Sequence, residues 1–68
     1  MEGKASILQE ALKDKHKNET FERALGRILR AHGRDYEDYL ELMSEIRERA
    51  GREKVDIVEA ARREASEG

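Results

Sequence analysis

Apolar residues recur along this chain at spacings of three and four, the period of an α-helix with one buried face. Ile7, Leu8, Ala11 and Leu12 open the pattern. Phe21, Leu25, Ile28 and Leu29 carry it on, followed by Tyr36, Tyr39, Leu40, Leu42, Met43, Ile46 and Ala50, then Ile57, Val58, Ala61 and Ala65. β-Branched residues are few and never alternate with polar ones, so nothing competes as a strand. The spacing predicts four helices, at about 6–17, 20–32, 35–50 and 56–66, in one domain spanning residues 1–68.

Local signals set these bounds. Ser6-Ile7-Leu8-Gln9 and Asp56-Ile57-Val58-Glu59 fit the capping box, in which two side chains satisfy orphan backbone N–H groups at a helix start. Thr20 and Asp35 are the expected caps of the middle helices, with Glu22 and Asp38 near their positive ends. Asn18, Gly33 and Gly51 are expected left-handed stops. Segment 52–55 reads equally as a loop or as an extension of the last helix. Gly26, inside the second helix, costs about 1 kcal/mol relative to alanine and is expected where another helix crosses closely. The short link between the second and third helices favours an antiparallel hairpin. The expected fold class is all-α, a small three- to four-helix bundle built around that hairpin.

Charge adds a second pattern. Arg23, Arg27, Arg30 and Arg34 recur at intervals of four, three and four residues. They fall within a strip roughly 60° wide, opposite the apolar face of the second helix. The outer face of the third helix is acidic instead, with Glu37, Asp38, Glu41, Glu45 and Glu48. Residues 1–34 hold eight basic and five acidic side chains, whereas 35–51 hold six acids and two bases. Charged residues are 44% of the chain, but the signs nearly cancel to −2, which argues against a disordered polyelectrolyte. One Asn, one Gln and no cysteine, with Arg and Glu abundant, make a composition leaning toward a thermophile.

Composition excludes several functions. Without cysteine there is neither a disulfide nor a thiolate zinc site. None of Ser6, Ser44 and Ser66 sits in a nucleophile elbow, and the carboxylates lie on solvated faces, so no enzyme is expected. His16 lies among lysines and His32 at a helix end, where its ring is expected to cap carbonyls; neither has ligand spacing, so no metal or cofactor is expected. No apolar run approaches the roughly 20 residues of a membrane span, and the first residues lack a secretory layout, which points to the cytoplasm.

A chain this short buries only about 60% of its unfolded surface, which favours covering part of the apolar face with a second copy or a partner. Tyr36, Tyr39, Leu40, Leu42 and Met43 form the expected anchor, because the third helix has a wider apolar face than one neighbour needs. The arginine and acidic strips would orient the docking. The expected function is therefore a small protein-interaction or regulatory module, a homodimer or a partner-binding subunit. The alternative is a nucleic-acid-binding accessory protein using the arginine strip. Against it stand the net negative charge and the lack of aromatics interleaved with the arginines. A solvated strip with local pairs such as Glu19–Arg23 is the simplest reading of the arginines.

Overall fold

The computed structural model describes residues 3–67. Four helices run in chain order: α1 (Lys4–Asp14), α2 (Phe21–Ala31), α3 (Tyr36–Glu53) and α4 (Ile57–Glu67), with no strand among the described residues. The all-α bundle follows from the helical apolar period. α1 packs on both α2 and α4, α3 packs on α4, and the α2–α3 pair meets over the smallest contact of the four. The first and last helices therefore close the bundle, while the α2–α3 hairpin opens at one side.

The core gathers Ile7, Leu8 and Ala11 of α1, Phe21, Leu25, Ile28 and Leu29 of α2, Leu42, Met43 and Ile46 of α3, and Ala60, Ala61 and Ala65 of α4. Leu42 and Met43 are wholly buried, so they hold α3 to its own bundle and do not form the expected partner-facing edge. The width of the α3 apolar face partly reflects its contact with two neighbours in the same chain.

Three of the expected caps form. Thr20 accepts from the Arg23 N–H at 3.2 Å, Asp35 from Asp38 at 3.0 Å and Asp56 from Glu59 at 2.8 Å. α2 ends in a Schellman turn: Gly33 at φ 74° lets Arg34 N–H reach the Leu29 carbonyl at 2.9 Å and Gly33 N–H reach Arg30 at 3.0 Å.

Other boundaries differ from the sequence expectation. α1 begins at Lys4, with Gly3 in the left-handed region at its start, so Ser6 lies exposed within the helix and caps nothing. The Lys4 ammonium reaches Glu45 at 2.6 Å and Glu64 at 3.3 Å, which ties this extra turn to α3 and α4. α1 stops at Asp14, not Lys17, and Asn18 does not take a left-handed conformation. The reason is Arg27, whose guanidinium donates to the Asp14 carbonyl at 2.9 Å and supplies a partner to an orphan helix-end group.

α3 passes through Gly51 to Glu53, and Lys54 takes the left-handed position at φ 57°. Packing overrides the glycine here. Glu53 is held by Arg63 of α4 at 2.7 Å and lies 3.1 Å from Arg49, so the last turn of α3 is clamped to α4. Residues 52 and 53 thus extend α3, and 54–56 form the link to α4.

Candidate functional site

The open side of the α2–α3 hairpin is a groove of about 700 Å³. Arg23, Arg27, Arg30 and Arg34 line it from α2 and its C-terminal turn, and Tyr36 and Tyr39 line it from the first turn of α3. Local structure explains the juxtaposition. The Schellman turn reverses the chain after Ala31, the Asp35 cap restarts it, and Tyr36 is set beside the helix that carries the arginines.

Gly26 does not mark a close helix crossing. Its missing side chain leaves room for the Tyr39 ring, whose Cδ1 and Cε1 lie 3.9 Å from where a Cβ would stand. Tyr36 stacks on Tyr39 with ring centroids 5.6 Å apart and planes 18° from parallel. Tyr39 is half-buried, and its phenol pKa is raised chiefly by that burial and secondarily by Glu22. Tyr36 is 69% exposed, so its outer face is open. The tertiary structure thus brings aromatic rings to the arginine strip, which the linear spacing of the chain does not reveal.

The four arginines are not equivalent. Arg27 is a structural tie: its Nε and Nη2 donate to the two oxygens of Glu19 at 3.1 and 3.0 Å. Glu19 therefore pairs with Arg27, not with Arg23 one turn earlier. The same carboxylate accepts from the His16 N–H at 3.1 Å, and these bonds, Arg27 first, hold its pKa down from an ordinary 4.5 to about 2. Arg23 and Arg30 are exposed and make no ion pair among the described residues. Glu22 and Asp35 also border the groove, so its charge is positive but moderate.

The acidic strip also divides. Glu45 is taken by Lys4 and Glu48 pairs with Arg52 at 3.5 Å within α3. Asp38 is half-buried beside the α3 cap. Glu37 and Glu41 remain exposed without an ion pair among the described residues. Between them and the groove stand Tyr36 and Leu40, one helical turn apart; Leu40 is 46% exposed, and these two are the large apolar side chains left uncovered among the described residues.

Two further side chains have roles the sequence reading missed or misplaced. Arg49, 9% exposed, lies among Glu53 at 3.1 Å, Glu64 at 3.6 Å and Glu67 at 2.5 Å, and joins α3 to α4. Its place was visible in the pattern, since it follows Leu42 and Ile46 on the apolar stripe. His32 does not cap carbonyls with its ring. Its Nε2 meets Glu10 of α1 at 2.9 Å, while its backbone N–H serves the end of α2.

Among the described residues no group of three or more His, Cys, Asp or Glu could hold a metal ion, and no helix is long and apolar enough to cross a membrane. No family model, curated protein or solved structure matches the chain.

Proposed function

We propose that the chain is a small non-enzymatic interaction module that associates with a second copy of itself through the N-terminal half of α3. The observation that carries this reading is the pair Tyr36 and Leu40, exposed on successive turns while the other large apolar residues described are buried in the core or packed against it. The charges on either side support it. Arg23 and Arg30 lie toward one flank of the pair, and Glu37 and Glu41 lie on the helix that carries it. In a two-fold contact the same patch meets itself, so groups on opposite sides of the axis become neighbours. Arginines of one copy then face glutamates of the other, with the apolar pair near the axis.

A standard interface covers about 800 Å² per partner, against a total accessible surface of 4642 Å². Two exposed apolar side chains supply only a small hot spot within such an area. The association is therefore weak and reversible, and a different protein presenting an acidic, apolar-edged helix could occupy the same face. Sedimentation equilibrium from low to high micromolar concentration tests this. Wild type is expected to shift toward dimer, more weakly at high salt, and Leu40→Glu to remain monomeric with an unchanged helical spectrum. A strict monomer at every concentration and salt level would end the self-association reading.

A further inference from the structure

We propose that the α2–α3 groove holds a short stretch of single-stranded nucleic acid, with one base stacked on the open face of Tyr36 and phosphates on Arg23 and Arg30. This goes beyond self-association: it shares Tyr36, Arg23 and Arg30 with that reading but has no need of Leu40.

The aromatic arrangement is a staircase with its last step vacant. Gly26 gives Tyr39 a flat seat on α2, Tyr39 carries Tyr36 at 5.6 Å, and the far face of Tyr36 meets solvent. A ring already stacked on one side is ordered before a ligand arrives, so less freedom is lost on binding. Every nucleobase has a π-face able to continue such a stack without sequence readout. A carboxylate-bearing peptide could use the arginines but has no need of a stacked aromatic pair beside them.

The cations lie where the backbone of a stacked strand would pass. Arg23 and Arg30 are separated by seven residues of α2, a span on the order of 10 Å along the helix. Both are exposed and make no ion pair among the described residues, so contact with phosphate requires no internal ion pair to break. Arg27 is held by Glu19 and shapes the wall instead. An open, shallow groove with rings at one end suits a flexible strand. A rigid duplex hides its base faces within its own stack, and the acidic edge with Glu37 and Glu41 opposes a second strand.

The chain contains Tyr36 and Tyr39 as its only tyrosines and no tryptophan, so its intrinsic fluorescence reports on this groove alone. Titration of the whole protein with oligothymidine and oligouridine is expected to quench that fluorescence and to saturate, with matched duplex binding more weakly. With two phosphates engaged, affinity should fall with salt at a logarithmic slope of roughly −1.4. In anisotropy titrations of labelled strands, Tyr36→Ala should weaken binding by about five-fold or more, while Tyr36→Phe retains it. Arg23→Glu with Arg30→Glu should abolish it, with far-UV circular dichroism unchanged. Leu40→Glu is expected to leave strand binding intact even where it abolishes self-association. The proposal is overturned if duplex binds as well as single strand, if Tyr36→Ala binds like wild type, or if oligoglutamate displaces the strand at equal concentration.

Discussion

The ring of Tyr39 covers Gly26, at 3.9 Å from the position of a Cβ on that glycine. That separation is an ordinary van der Waals contact, so the glycine provides a flat seat but is not forced by a clash. Gly26→Ala should therefore raise stability by about 1 kcal/mol, the helix-propensity gain at an interior position. Urea titration of the two proteins measures it. A bulkier Gly26→Leu should instead lift Tyr39 away and disturb the Tyr36 stack, which tyrosine fluorescence would register.

The end of α3 places its glycine and its left-handed residue at different positions. Gly51 sits within the helix with open space where a Cβ would stand, while Lys54 adopts φ 57°. Glycine in a helix interior costs about 1 kcal/mol, and a side chain in the left-handed region costs roughly 1–2 kcal/mol. Gly51→Ala and Lys54→Gly should each stabilise the fold, and the double variant should approach the sum. In a domain this small about 1 kcal/mol raises Tm by roughly 4–8 °C, readily seen in thermal melts.

Glu19 gives the fold a defined acid sensitivity. Its pKa is depressed from 4.5 to about 2 by Arg27 first and the His16 N–H second. The stabilisation is whole above the unfolded value near 4.5 and is lost as pH falls through about 2. Glu53, lowered chiefly by its hydrogen bond from Arg63, adds in the same direction. Glu19→Gln is expected to melt lower than wild type at neutral pH and to show a flatter profile on acidification. The two curves should converge toward pH 2.

Leu40 and Leu42 are two residues apart and should behave oppositely. Leu42 is fully buried, and Leu42→Ala should cost about 2–5 kcal/mol through lost contacts and a residual cavity. Leu40 is 46% exposed, and Leu40→Ala should change monomer stability by no more than about 0.5 kcal/mol. Chemical denaturation at low protein concentration separates the effects of these substitutions on the fold from any effect on association.

Much of this was legible in the chain itself. The apolar period placed four helices, and the three polar caps Thr20, Asp35 and Asp56 and the Gly33 stop lie where short-range chemistry put them. The boundaries that moved are those where a distant side chain intervened. Lys4 lengthened α1 by reaching Glu45 and Glu64, Arg27 ended α1 by taking the Asp14 carbonyl, and Glu53 carried α3 past Gly51. For the candidate site, spacing alone placed the arginines on one face and the tyrosines on one helix. Which of them met was a matter of how α2 and α3 pack.

By itself, then, the sequence determined what depends on neighbours within a turn or two: helix type, three of four starts, the Gly33 stop and the sidedness of charge. Only the tertiary structure decided which apolar residues stay outside, that Arg27 is bound internally, and that the Tyr36–Tyr39 pair lies beside the exposed arginines. Helical periodicity and the stack of Tyr36 on Tyr39 are set within a turn, whereas burial and the meeting of the ring pair with the α2 arginines depend on separate helices packing at one angle.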